Sequence, residues 1–139
     1  MLHVGMNISD KVALTKEIWR VLKPGASFGI YDIMQIDDKA LAFPVPWATV
    51  PEGASLASPD DYKRALAAAG FEIVNERNRR DFALEFFEGL KDRSAAAAGP
   101  PPLGLHVIMG AAAPAKFRDM VSNIAQGSIA PVELIARKA

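Results

Sequence analysis

The sequence predicts an α/β domain, and three stretches carry that expectation. In EIWRVLKPGASFGIYD, Glu17 to Asp32, an amphipathic helix runs through a Pro-Gly turn into an apolar strand. In SPDDYKRALAAAGF a capped helix stops at Gly70 and a second short strand follows. Near the end, a stripe of Phe117, Met120, Val121 and Ile124 precedes Gly127 and a closing apolar segment. The 139 residues fit one domain, 1–139. A chain of this size buries roughly 68% of its unfolded surface, enough for a true core.

The first helix begins at Ser9, a residue type that caps free backbone N–H groups, and runs to about Leu22. Leu14, Ile18, Val21 and Leu22 form its inward stripe. Lys23 stands before Pro24, which disfavours the α conformation, and Gly25 can take positive φ, so the helix must end there. Ser27 to Ile33 then reads as a strand covered on both faces, because Phe28, Gly29, Ile30, Tyr31 and Ile33 form a nearly unbroken apolar run. The proline-rich stretch AFPVPWATVPEGASLA has no sustained period, and a loop of this length in a small domain is usually functional or mobile. Ser58 caps the next helix, Pro59 takes its first position, and Asp60 and Asp61 sit at the positive end of its dipole. Phe71 to Glu76 is a short strand. Asp81 can cap a further helix with Phe82, Phe86 and Leu90 at four-residue steps, which SAAAAGPPP ends. Leu103 to Met109 is open between helix and strand, since a short apolar run has no diagnostic period. A helix begins near Ala115, and Ile129 to Arg137 is the closing strand.

Composition narrows the function classes. Sixteen basic residues balance sixteen acidic ones, so no global field recruits nucleic acid or an anionic membrane. Without cysteine there are no disulfides and no thiolate ligands or nucleophiles, which suits a reducing, cytoplasmic setting. No signal peptide or membrane span is expected. Two distant histidines with no spaced carboxylates imply no metal site, and no Ser/His/Asp signature points to hydrolysis. Arg77, Arg79 and Arg80, flanked by Glu76 and Asp81, read as a solvated strand end.

Taken together, HVGMNISDK, EIWRVLKPGASFGIYDI, FPVPWA, ALAAAGF, LGLHVIMG and PVELIARK resemble the carboxyl-terminal half of class I S-adenosylmethionine-dependent methyltransferases. The ubiquinone/menaquinone and sarcosine/dimethylglycine enzymes are the most similar branch, and RVLKPG is the most specific element, with Ala26 where the family usually has a second glycine. The resemblance implies a truncated Rossmann-like fold, with a three-stranded mixed sheet and about four helices. It places Met1 just after the fourth of seven strands. S-adenosylmethionine is the implied cofactor, yet no Gly-x-Gly loop stands between a strand and a helix, so weak or absent binding by this chain alone is expected. The implied function is methylation of a small molecule by an acceptor-side half, completed by a missing segment or partner chain. The alternative is a noncatalytic remnant acting as a binding or assembly module.

His3 and Met6 match, by resemblance, the segment after the fourth strand that lies near cofactor and acceptor; His3 is otherwise a frayed terminus, and Asn7 a helix-entry residue. Tyr31 and Asp32 lie at the end of a buried strand, where open α/β sheets place ligand groups, although such an Asp is also a common turn former. Trp47 offers a flat wall for an acceptor or a place in a satellite core. His106 is a candidate proton acceptor at the same pocket, or a satisfied core side chain. The implied strand order is Ser27 to Ile33, then Ile129 to Arg137, then Phe71 to Glu76. That order leaves the first strand as an open edge, which predicts a homodimer with Phe28, Ile30 and Trp19 at or near its interface.

Overall fold

The computed structural model describes residues 1–96 and 103–139 and builds a three-stranded sheet from β1 (Ser27–Gln35), β2 (Phe71–Asn78) and β3 (Ile129–Lys138), in the order β1-β3-β2. Both pairings are antiparallel. The sheet is thus antiparallel rather than mixed, and the chain start adds an isolated parallel bridge outside its strands, Leu2 to Tyr31, with Tyr31 N–H donating to Met1 O at 2.9 Å and His3 N–H to Tyr31 O at 2.8 Å. Among the described residues five α-helices complete the fold: α1 (Lys11–Val21), α2 (Pro59–Ala69), α3 (Arg80–Ala96), α4 (Leu105–Met109) and α5 (Ala113–Ala125). Leu103 to Met109 thus resolves to a short helix, and the 97–102 part of SAAAAGPPP lies outside the described residues. No helix among the described residues is long and apolar enough to cross a membrane.

Local chemistry sets most boundaries. Asp10 rather than Ser9 caps α1, its carboxylate accepting from Ala13 N–H at 2.8 Å. After Pro24 the chain reverses at Gly25, φ 77°, whose N–H donates to Lys138 O at 2.9 Å, so the turn is tied to the end of β3. Lys138 also reaches back, donating from Nζ to Trp19 O at 2.6 Å and Leu22 O at 2.8 Å; a cation there satisfies the last carbonyls of α1. Ser58 and Asp61 form a reciprocal capping box on α2, and Gly70 ends that helix at φ 100°. β3 tolerates Pro131 because its carbonyl points toward Arg79 N–H (2.8 Å), just past the end of β2, where the missing donor has no strand partner.

Strand alternation divides the interior in two. Phe28, Ile30 and Met34 face Tyr62, Leu66 and Phe71, beneath α1 and α2. Ile33 and Ile129 face the other way, against Met120 and Ile124 of α5 and Val45 and Ala48 of the long loop. Of the residues expected near a homodimer interface, Phe28 and Ile30 face the chain's own core at 9% and 2% exposure, Trp19 is 36% exposed beneath the Lys138 ammonium, and residues 1–3 cover part of the β1 edge.

Candidate functional site

Along β1 the odd positions Tyr31 and Ile33 point to the α5 side of the sheet, while Asp32 points to the α2 side. Next to Tyr31 runs the chain start, which turns through a short 3-10 segment, Gly5–Asn7, before α1. His3 stands at φ 51°, an unusual conformation for a residue with a side chain, and its ring meets Tyr31 edge-on at 5.3 Å.

What holds this segment is a buried polar cluster. Asp32, fully buried, accepts from Val4 N–H at 2.9 Å and from the Tyr62 hydroxyl at 2.9 Å. A β-carbon on Gly5 would lie 2.4 Å from Asp32 Oδ2 and 2.4 Å from Tyr62 Oη, so only glycine allows the backbone this close. Burial pushes the Asp32 carboxyl above its ordinary range, against the pull of the Tyr62 and Val4 hydrogen bonds. Burial, with the Asp32 charge second, pushes the Tyr62 hydroxyl up. Lys11 lies over the Tyr62 ring and donates to Ser55 O at 2.7 Å, while Ser55 N–H donates to Met6 O at 2.8 Å. Desolvation lowers the Lys11 pKa. Val4, Gly5 and Met6 are therefore clamped from both sides.

The loop after β1 is held just as firmly. Asn123 of α5 makes a reciprocal pair with Ala42: Ala42 N–H donates to Asn123 Oδ1 and Asn123 Nδ2 donates to Ala42 O, both at 2.9 Å. A tight turn follows, with Val45 N–H on Ala48 O at 2.8 Å and Ala48 N–H on Val45 O at 3.1 Å. Proline in the first central position presets its φ. The turn buries Val45 and Ala48 and leaves Pro46 and Trp47 at its tip.

These elements border a half-open cavity of about 490 Å³. His3, Met6, Tyr31 and Trp47 all line it, joined by Phe82, Phe86 and Phe87 of α3, Leu105 and Met109 of α4, and Phe117 and Met120 of α5. Four of the six nominated residues thus meet at one place. Asp32 does not: it is committed to Val4 and Tyr62 on the opposite face, as a positioning group for the chain start. His106 shares α4 with two lining residues but is not part of the wall. The Phe82 and Phe86 stripe, 52% and 50% exposed, was visible as four-residue spacing and is the aromatic rim of the cavity. Of the arginines, Arg80 is no mere solvated charge. Its guanidinium donates to Ile124 O at 2.9 Å and Ala125 O at 2.7 Å, closing the end of α5.

The residues present do not fit an S-adenosylmethionine cradle. Among the described residues, no carboxylate lines the cavity to receive ribose hydroxyls. Among the described glycines, the one pressed closest by its surroundings, Gly5, is filled by Asp32 and Tyr62, while Gly25, Gly110 and Gly127 serve open turns. The described residues also hold no group of three metal-ligating side chains.

The chain superposes on solved structures of methyltransferases and of a cyclase. A sarcosine dimethylglycine methyltransferase from Galdieria sulphuraria superposes with a TM-score of 0.72 at 16% identity, over 99% of this chain and 51% of its own. A geranyl diphosphate C-methyltransferase from Streptomyces coelicolor, solved with Mg2+, geranyl diphosphate and S-adenosyl-L-homocysteine, gives a TM-score of 0.66 at 16% identity, over 99% and 45%. The [4+2]-cyclase SpnF gives 0.58 at 20% identity, over 99% and 48%, so the fold also carries another reaction. The chain therefore spans about half the length of the structures it matches, and its fold is that of the carboxyl-terminal half indicated by the sequence resemblance. No protein-family model and no curated protein matches the sequence.

Proposed function

We propose that this chain is the acceptor-side half of an S-adenosylmethionine-dependent methyltransferase, binding a small molecule in the cavity beneath Trp47. The cavity is the observation that carries the reading. It is assembled from the sheet, the chain start, the Pro46–Trp47 turn and three helices, with Asp32, Tyr62 and Asn123 fixing the parts that have no regular structure. In this reading the chain's own tasks are to orient the acceptor against Tyr31 and Trp47, to exclude water, and to offer the His3 imidazole as a site for the acceptor's proton. The cofactor, which supplies the methyl group when bound, belongs to residues outside this half, contributed by a further segment or a completing polypeptide. A cysteine-free chain suits the cytoplasm as its place of work.

Titration calorimetry of the chain with S-adenosylmethionine tests this division of labour. The expected result is no saturable heat at micromolar concentrations. One-to-one micromolar binding would overturn it and place a rebuilt cofactor site within these residues.

A further inference from the structure

The chemistry of the cavity wall says more about the acceptor than the fold does. Its lining is aromatic and aliphatic, and among the described residues His3 is the one basic side chain in it. Arg79 stacks over the ring of the lining residue Phe82 at 4.4 Å and is not itself part of the wall. No aspartate or glutamate lines it either. Among the described residues of the wall, a ligand anion would thus meet no lysine or arginine, and a ligand ammonium no carboxylate. Charged groups in apolar surroundings without such partners are strongly disfavoured. The rings are also engaged with each other, His3 with Tyr31 and Phe86 with Phe87 at 5.5 Å, rather than set as an open cage for a cation. The volume is about 490 Å³. That lies within the range of about 300–1,000 Å³ typical of small-molecule sites.

We propose that the cavity takes a neutral, largely hydrocarbon acceptor with a single hydroxyl-type group placed at the His3 and Tyr31 end, and that it rejects diphosphates, amino acids and quaternary amines. This rests on the acceptor-half reading, and it separates the chain from structural neighbours described with geranyl diphosphate or sarcosine. The hydrocarbon body would lie against Phe86, Leu105, Met109 and Phe117, and the polar end would reach His3 and Tyr31, side chains of the wall that can exchange a hydrogen bond.

Geraniol and geranyl diphosphate share a hydrocarbon body and differ in charge, so the pair isolates the claim. Trp19→Phe leaves Trp47 as the sole indole, and its emission reports binding. Geraniol should saturate the signal at least tenfold more tightly than geranyl diphosphate, sarcosine or choline. Phe86→Lys, a change at the exposed rim, should reverse the order of geraniol and its diphosphate. If geranyl diphosphate or choline binds as tightly as geraniol, the cavity is a ligand site but the neutral class is wrong. If no ligand alters Trp47 emission, and calorimetry on the unmodified chain also shows no heat, the acceptor-site reading itself fails.

Discussion

Gly5→Ala tests the clamp that builds the site. The new β-carbon would sit 2.4 Å from both Asp32 Oδ2 and Tyr62 Oη, and 2.9 Å from Met1 Cε, so the chain start must move away. Withdrawal breaks the Val4 N–H to Asp32 hydrogen bond and loosens the contact of His3 with Tyr31. A hydrogen bond to a buried charged group contributes about 1.5–3 kcal/mol, and residual crowding against Tyr62 adds to that. The expected loss is about 2–4 kcal/mol, measured by urea unfolding, with geraniol binding weakened in parallel because His3 and Met6 leave the cavity wall. Tyr62→Phe removes one of the two clashing atoms, so the double variant should lose less than the sum of the singles. A Gly5→Ala protein within about 0.5 kcal/mol of the parent, the usual range for surface changes, would refute the close approach on which the clamp depends.

Asp32→Asn should expose a pH dependence. The folded carboxyl is raised above its ordinary 3.8, so its contribution to stability is fully present below that value and is lost as pH rises through the folded pKa. The parent should therefore lose stability relative to Asp32→Asn between acid and neutral pH; denaturant unfolding that shows the opposite trend contradicts the burial argument. Trp47→Ala would cost about 3–5 kcal/mol if the ring were wholly core. Half-buried at a cavity, it should cost less than half of that in thermal melts while abolishing geraniol binding by calorimetry, and a full-sized loss would make it a core residue. A homodimer at micromolar concentration is expected through the uncovered part of the β1 edge and the neighbouring Leu2 and Val4, 71% and 45% exposed. Light scattering reads it directly, and a monodisperse monomer ends that expectation.

Local signals in the sequence carried the regular structure well. Ser58, Asp61 and Gly70 act within one helix, and Lys23-Pro24-Gly25 acts within one turn, so neighbours along the chain were sufficient. The site depends instead on distant partners. Tyr62 is 30 residues from Asp32 and Asn123 is 81 from Ala42, and nothing in either stretch announces the other. The pairing of residues 1–3 with Tyr31 was invisible because three residues have no period. Asp32 drew attention as an end-of-strand carboxylate, but alternation along β1 alone should have separated it from Tyr31. The glycine before Met6 was the missed signal, since a glycine beside a strand end often marks close backbone approach.

The methionines offer the most direct view of the central claim, that this chain by itself forms an acceptor cavity and no cofactor site. Met6, Met109 and Met120 line the cavity, whereas Met34 is wholly buried in the opposite core and Met1 packs against that same core. In a carbon-13 methyl-methionine NMR titration, geraniol should shift the first three resonances together and leave Met34 and Met1 in place, and S-adenosylmethionine should move none. Saturable S-adenosylmethionine shifts at Met6, or geraniol shifts at Met34 with the three cavity methyls unchanged, would contradict the account.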